Sequence, residues 1–126
     1  MRFLLDSNIV IAASLGVGVG LRQRMEACDE GDLVTSAIVF SEVALGSMRG
    51  KPPPLDRLEL FIEEVPVLPF DLAASEAYAR LPFRRASFDH LIAAHALSLD
   101  LTLVTDNLSD FSSVPGLSVQ NWLRLP

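Results

Sequence analysis

The chain has 126 residues, enough for one domain with a hydrophobic core and too few for two ordinary domains. Its net charge of -6 and its pI near 4.7 argue against broad electrostatic attraction to nucleic acid or to an anionic membrane. No apolar run reaches the roughly 18 residues that cross a bilayer, and the N-terminus lacks a signal peptide's basic start and cleavage site, so we expect a cytoplasmic protein without a membrane partner.

Short apolar runs alternate with helical patterns along the chain. The first predicted elements, in chain order, are a strand at 3–5, a helix capped by Ser7 or Asn8 that ends at Leu15, a helix at 21–28, a strand at 33–35 and a helix capped by Ser36. A stiff linker at 50–54 follows, and after it come a helix at 55–64, a strand at 65–68 and a helix at 71–81 capped by Asp71. The last predicted elements are a helix at 88–99 capped by Ser87, a strand at 102–105 and a strand at 117–119.

This alternation of strands and helices implies right-handed crossovers and a parallel sheet that is covered on both faces. The predicted fold class is α/β, a three-layer α/β/α sandwich with a central, mostly parallel sheet, in a single domain over residues 1–126. Gly16, Gly18 and Gly20 follow a helix rather than a strand, so they indicate a turn between two helices and not a phosphate-binding loop.

Acidic or amide residues occur at four places where apolar segments are expected to bury them: Asp6, Glu42, Asp89 and the pair Asp106 and Asn107. Asp6 and the pair follow predicted strands, and open parallel sheets bind ligands beyond the carboxyl ends of their strands. Asp89 lies in the first turn of its helix, whose N-terminus can face the same cleft. No lysine or arginine lies beside any of these residues in the sequence.

Glu42 is the one charged residue in a long apolar segment that reads as a helix. Apolar or small residues occupy the positions three and four residues away on its face, so we expect the glutamate to point toward protein rather than water. These neighbours are Ile38, Val39, Leu45 and Gly46.

Carboxylates that converge repel one another, and the repulsion is relieved by protonation or by a cation. A set of ligands that offers only oxygen atoms suits Mg²⁺ or Mn²⁺. The sequence therefore predicts a magnesium site where these acidic side chains meet.

Six short segments together have the order and spacing of a known family: Leu5-Asp6-Ser7-Asn8, Ser41-Glu42-Val43 with Gly46, Phe88-Asp89-His90-Leu91-Ile92-Ala93-Ala94-His95-Ala96, Leu103-Val104-Thr105-Asp106-Asn107 with Phe111, Val114-Pro115-Gly116-Leu117, and Asn121-Trp122. On these segments the chain resembles the PIN-domain ribonucleases and, within them, the VapC-type toxins of bacterial toxin-antitoxin pairs. The resemblance extends over nearly the whole chain.

The resemblance implies a catalytic set made of Asp6, Glu42, Asp89 and a fourth residue. The family usually has its fourth acid where this chain has Asn107, so either Asp106 or Asn107 is expected at that position. In such a site Asp6 and Asp89 hold Mg²⁺, with Mn²⁺ as a possible substitute, and the metal orients and acidifies a water. Glu42 then holds a water or acts as the base. The groups expected to orient these ligands without binding the ion are Ser7, Asn8 and Thr105.

The function that the resemblance implies is Mg²⁺-dependent hydrolysis of phosphodiester bonds in single-stranded or structured RNA, by the toxin of a toxin-antitoxin pair. A cognate antitoxin would cover a groove between helices and insert a basic side chain among the acids. Half of the residues are hydrophobic and the mean hydropathy is +0.36, which predicts apolar surface that a partner can cover, and we expect a homodimer.

RNA binding by a chain of this net charge requires local basic patches, although arginines on a surface more often only interact with solvent. The residues that can supply them are Arg22, Arg24, Arg49, Lys51, Arg80, Arg84 and Arg85.

The main alternative function is a catalytically inactive PIN-like module that binds RNA or protein. A receiver domain or a haloacid-type phosphatase also has an aspartate after its first strand, but both need a lysine late in the fold, and the one lysine here is Lys51. A zinc site at His90 and His95 is disfavoured by their five-residue spacing. Cys28 is the one cysteine, which excludes an internal disulfide, and we assign it no role.

Overall fold

Five short strands form one sheet in the computed structural model, which describes residues 1–123. The strands are β1 (Phe3–Leu5), β2 (Leu33–Ser36), β3 (Val67–Leu68), β4 (Thr102–Val104) and β5 (Val119–Gln120). Their order across the sheet is β3-β2-β1-β4-β5, and every neighbouring pair is parallel. The predicted α/β class with a parallel sheet is confirmed, and the last three positions of the predicted domain lie outside the described residues.

The helices of the described range are α1 (Ser7–Ser14), α2 (Val19–Glu26), α3 (Ala37–Met48), α4 (Leu55–Glu64), α5 (Leu72–Ala79), α6 (Phe88–Ser98) and α7 (Leu108–Phe111). Helices α1, α3 and α4 pack against one another, while α5 packs along α6, and α6 also contacts α7. Given this strand order, right-handed crossovers place the first four helices on one face of the sheet and the last three on the other. None of the helices described is long and apolar enough to cross a membrane.

The central strand, β1, is buried on both faces. Leu4 and Leu5 have no exposed surface, and neither do Leu103 and Val104 of the adjacent strand β4. A parallel strand that is covered on both sides consists of a continuous apolar run rather than an alternating one, which is why so short a segment is predictable as a strand.

The register of the sheet decides which residues meet at the carboxyl end of β1. Leu5 pairs with Thr35 in β2 and with Val104 in β4, so Asp6 leaves the sheet at the same level as Thr105. The backbone N–H of Asp6 donates to the carbonyl of Val104 at 2.9 Å. Strand β1 has β2 as its neighbour on one side and β4 on the other, so the connections from the central strands run in opposite directions across the sheet. Open α/β sheets bind ligands at such a topological switch point.

The first helix cap differs from the prediction. Ser7 and Asn8 were the predicted caps, but Asp6 is the N-cap of α1 and its side chain accepts from the backbone N–H of Ser7. An aspartate is as good an N-cap as a serine or an asparagine, and the sequence alone does not decide which of three consecutive capping residues ends the extended backbone. The caps predicted at Ser36, Asp71 and Ser87 are confirmed.

The starts of two strands also differ from the prediction, each for a backbone reason. β3 begins at Val67 rather than at residue 65 because Pro66 has no N–H for the ladder, although its carbonyl accepts from the N–H of Thr35 at 3.0 Å. β5 begins at Val119 rather than at residue 117, since the N–H of Leu117 closes a turn onto the carbonyl of Val114 at 3.4 Å.

Candidate active site

Asp6 is a buried carboxylate at the carboxyl end of β1, with 6% of its surface exposed. Thr105 Oγ1 donates to Asp6 Oδ2 at 2.7 Å, and the backbone N–H of Ser7 donates to Oδ1 at 2.8 Å. Burial raises the pKa of Asp6 despite these two hydrogen bonds, and the nearby charges of Asp89 and Asp106 raise it further. The fold therefore holds this carboxylate rigidly in a place that favours a cation.

Thr105 connects Asp6 to the loop that follows β4. Its side chain is fully buried, and besides donating to Asp6 its Oγ1 accepts the backbone N–H of Asn107 at 3.1 Å. A hydroxyl can donate once and accept as well, so Thr105 satisfies both neighbours at the same time. The predicted orienting position of Thr105 next to Asp6 agrees with this geometry.

Glu42 reaches the same area from α3. Ser7 Oγ donates to Glu42 Oε1 at 3.1 Å, which ties the first turn of α1 to α3. Burial raises the pKa of Glu42, and the charges of Asp6 and Asp89 add to the rise. The three carboxylates Asp6, Glu42 and Asp89, which belong to three different elements, are thus close enough for each to affect a neighbour's protonation.

The prediction that Glu42 points toward protein is only partly correct. The side chain is half-buried, and one of the four residues expected to cover it, Leu45, is 52% exposed. Apolar residues occur all around α3, so spacing alone does not distinguish its packed face from its solvent face. Glu42 lies at the rim of the cluster, where water and substrate can reach it.

Asp89 lies in the first turn of α6, and its closest acidic neighbour is Asp110 of α7. Burial raises the pKa of Asp89, and both the charge of Asp110 and a hydrogen bond between the two carboxyl groups raise it further. Asp110 was not among the predicted site residues. A signal was present, because Asp110 stands three residues after Asn107, a spacing that places both on one side of a helical turn.

Asp106 and Asn107, the two candidates for the fourth position, diverge in the structure. Asp106 Oδ1 accepts from Asn8 Nδ2 at 3.0 Å, so it interacts with α1. Asn107 Nδ2 instead donates to Asp110 Oδ2. The charge of Asp106 acts on Asp6, whereas Asn107 is connected to the acids through Asp110. Asp110 therefore adds a carboxylate next to the amide of Asn107.

No lysine or arginine forms an ion pair with the cluster within the described residues. The ion pairs found there are Arg2 with Asp32, at 3.6 Å, and Arg80 with Glu76, at 3.9 Å. Arg2 precedes β1 and Asp6 follows it, so the two residues lie at opposite ends of this strand. Burial of negative charge without a cationic side chain is costly, which makes the cluster suitable for a bound cation.

The donor set is compatible with magnesium but is not a complete cage. In the part of the chain that the structure describes, no group of three His, Cys, Asp or Glu side chains is arranged to hold a metal ion. Mg²⁺ keeps several of its waters and is commonly bound through one or two carboxylates, so Asp6 and Asp89 suffice in number. A zinc site, which requires a closed set of nitrogen or sulfur ligands, does not fit.

Both histidines have ordinary packing contacts instead. The His95 ring is buried, its Nδ1 lies 2.7 Å from Ser36 Oγ, and Phe70 packs edge-on against it at a centroid distance of 5.4 Å. His90 stacks on Phe83. Cys28 donates from Sγ to the carbonyl of Arg24 at 3.3 Å.

Comparison with known proteins places this arrangement in a family. Residues 3–117 match the PIN domain. The chain is 29% identical over 131 aligned positions to the tRNA(fMet)-specific endonuclease VapC of Shigella flexneri, with 97% of this chain and 98% of that protein covered.

Two solved structures have the same fold. A crystal structure of VapBC2 from Rickettsia felis bound to a promoter DNA fragment superposes with a TM-score of 0.85 at 25% identity, covering 97% of this chain and 99% of that one. The DNA-bound VapBC of Salmonella typhimurium gives a TM-score of 0.82 at 28% identity, covering 97% and 98%. The match over nearly the whole chain, together with the acidic cluster at the end of β1, identifies this protein as a member of the PIN-domain family and similar to VapC-type ribonucleases.

Proposed function

We propose that this protein is a Mg²⁺-dependent endoribonuclease and the toxin of a toxin-antitoxin pair. The observation that carries the proposal is the convergence of Asp6, Glu42 and Asp89 from three elements, with no basic side chain paired to them in the described range. The similarity to proteins named as VapC ribonucleases supports the nuclease activity.

Asp6 and Asp89 are the proposed metal ligands, because each has a raised pKa and the charge of Asp89 acts on Asp6. A bound Mg²⁺, with Mn²⁺ as a substitute, supplies Lewis acidity and compensates the negative charge that develops at the scissile phosphate. Thr105 and the backbone of Ser7 hold the two oxygens of Asp6, and Asn8 holds Asp106. These contacts fix the direction of the carboxylates before any ligand arrives.

Glu42 is the proposed base. Ser7 Oγ donates a hydrogen bond to Oε1 of Glu42, which fixes the direction of the side chain. The raised pKa of Glu42 makes its ionised carboxylate a better proton acceptor than an exposed glutamate. Its position at the rim of the cluster lets it accept the proton of the attacking water.

Single-stranded or looped RNA is the proposed substrate. Asp6 is buried at the carboxyl end of β1, and an unpaired backbone with splayed bases can approach a buried carboxylate more closely than a stiff duplex can. The protein's net charge of -6 opposes non-specific binding, so recognition depends on local contacts near the site.

The proposed partners are a cognate antitoxin and a second copy of the chain. Exposed apolar residues on α3 and α4, namely Leu45, Met48 and Leu60, offer a surface that an antitoxin segment can cover. An arginine of the antitoxin suits the acidic cluster, because its guanidinium pairs bidentately with carboxylate. Light scattering that shows a stable monomer at micromolar concentration would reject the dimer, and a neighbouring gene product that fails to suppress cleavage would reject the toxin role alone.

The second candidate is a PIN-like module that binds RNA or protein without cutting. It is favoured by one observation, the lack of a ready group of three metal-ligating side chains in residues 1–123. A cleavage assay on short single-stranded RNA, with Mg²⁺ added or with EDTA, separates the two. We expect cleavage that requires Mg²⁺ and saturates with it, whereas intact RNA at millimolar Mg²⁺ would favour the binding module.

A further inference from the structure

A cavity of about 240 Å³ lies between the end of α5, the loop that follows it and the start of α6. Its lining includes Tyr78, Phe83, Arg84, Arg85 and His90. His90 directly follows Asp89 in α6, and it lies close enough to lower the pKa of the Asp89 carboxyl group. The cavity is therefore a neighbour of the acidic cluster, on the side of α6.

An aromatic pair forms one wall of this cavity. The rings of Phe83 and His90 are stacked with a centroid distance of 4.0 Å and an interplanar angle of 11°. His90 Nδ1 is buried and has no hydrogen-bond partner within the described part of the chain. A buried polar atom without a partner is rare in native proteins and is commonly satisfied by a ligand or a water.

Two cationic side chains border the cavity. Arg84 and Arg85 are exposed, and neither takes part in an ion pair found within residues 1–123, whereas nearby Arg80 is paired with Glu76. Guanidinium groups on a surface often only interact with solvent, but two of them side by side at a cavity have the planar donor geometry that suits phosphate oxygens.

A flat aromatic stack, a buried hydrogen-bonding atom and two guanidinium groups are the parts that single-stranded RNA requires, because its bases stack on rings while its phosphates pair with arginines. We propose that this cavity binds one nucleotide of the RNA next to the scissile phosphate, with its base on the Phe83–His90 stack and its phosphate on Arg84 and Arg85. This inference rests on the proposed RNA cleavage and assigns an RNA contact to the α5–α6 loop.

The test of the phosphate contact compares two double variants in the D6N background, so that bound RNA stays intact. Arg84→Gln with Arg85→Gln removes two charges at the cavity. Arg2→Gln with Arg57→Gln removes two exposed charges away from the acids: Arg2 precedes β1, and Arg57 contacts the carbonyl of Ser14 at the end of α1. Fluorescence anisotropy of a labelled short single-stranded RNA is recorded over a range of salt concentrations.

We expect the cavity variant to bind RNA about tenfold more weakly and to lose about 0.7 from the slope of log affinity against log salt, since both guanidinium groups pair with one phosphate and each phosphate contact on a single strand contributes about 0.7. The control variant is expected to stay within about twofold. Equal affinities and slopes for the two double variants would overturn the phosphate contact.

The test of the base contact uses Phe83→Leu in the otherwise wild-type protein, which keeps an apolar side chain but removes the ring. Loss of base stacking is expected to weaken RNA binding roughly 5- to 100-fold, raising KM more than it changes kcat. An unchanged KM would overturn this contact. Failure of the wild-type protein to cut any RNA would instead contradict the proposed nuclease, so the two failures are distinguishable.

Discussion

Thr105 donates a hydrogen bond of 2.7 Å from its Oγ1 to Oδ2 of Asp6, which joins the ends of two neighbouring strands through side chains 99 residues apart in the sequence. Both residues are buried, so water cannot replace this donor if it is removed. The bond thus fixes the direction of a carboxylate that we propose to be a metal ligand.

Replacing Thr105 by valine removes that donor and keeps the shape of the side chain. We expect T105V to lower the free energy of unfolding at neutral pH by about 1–3 kcal/mol, the usual cost of leaving a buried polar group unsatisfied. Urea denaturation measures this change, and T105S is the matched control because it retains the hydroxyl. A T105V protein as stable as T105S would show that the hydrogen bond does not hold Asp6.

Magnesium is expected to raise thermal stability by binding the folded state alone. Burial raises the pKa of Asp6, Glu42 and Asp89 in the folded protein. Ionisation of these carboxyl groups therefore lowers the free energy of unfolding at a pH above their folded-state pKa values. This loss of stability becomes smaller as the pH falls. Asp6→Asn removes one of these charges, so metal-free D6N is expected to melt higher than wild type at pH 7.5 and to respond less to Mg²⁺. An unchanged wild-type midpoint at millimolar Mg²⁺ would contradict the site.

His95 is expected to make stability depend on pH in the opposite direction. Burial lowers the pKa of His95, with a partial opposing effect from Asp71, so the unfolded chain takes up a proton at higher pH than the folded protein does. The neutral, buried His95 contributes fully to the free energy of unfolding above a pH of about 6.5, which is the pKa of histidine in the unfolded chain. This contribution is lost as the pH falls below that value. Melting curves between pH 5 and 8 should show a smaller acid-induced loss in H95Q than in wild type. Parallel curves for the two proteins would refute this role.

Asp110 is expected to matter more than Asp106. Asp110 hydrogen-bonds the Asp89 carboxyl group, whereas Asp106 interacts with Asn8 and acts on Asp6 only through its charge. D110N should therefore weaken Mg²⁺ binding and slow RNA cleavage more than D106N does, roughly 10- to 100-fold, as is typical of groups that support metal ligands. Isothermal titration with Mg²⁺ and initial cleavage rates measure the two effects. A larger effect of D106N than of D110N would instead assign the fourth position of the acidic site to Asp106.

The fold could be predicted from the sequence because the central strands are continuous apolar runs and the helices begin at strong capping residues, such as Ser36, Asp71 and Ser87. The rule that ligands bind beyond the carboxyl ends of parallel strands predicted that Asp6 and Asp89 face one cleft, whereas the place of Glu42 in the site was implied by the family resemblance. Asp110 could not be predicted in the same way. It belongs to a four-residue helix, which is too short to produce a hydrophobic period.

The exposure of the α3 surface was also beyond sequence reasoning. Leu45 and Met48 are 52% and 74% exposed, although their apolar character indicates burial. Helical spacing gives the relative positions of side chains but not which face the rest of the protein covers. For the same reason the sequence indicated local basic patches without distinguishing Arg84 and Arg85, which line a cavity with His90, from Arg49 and Lys51, which follow α3.

The most direct measurement is the initial rate of single-stranded RNA cleavage at saturating Mg²⁺ for D6N and D89N, with D100N as the control. Asp100 is exposed in the turn between α6 and β4, at the opposite end of β4 from Thr105 and Asp106. It has a backbone φ of 54°, a conformation that asparagine adopts readily, so D100N removes one charge without strain. We expect D6N and D89N each to be slowed roughly 100-fold or more, with D100N close to wild type. Wild-type cleavage by folded D89N would contradict the assignment of the acidic cluster as the catalytic site.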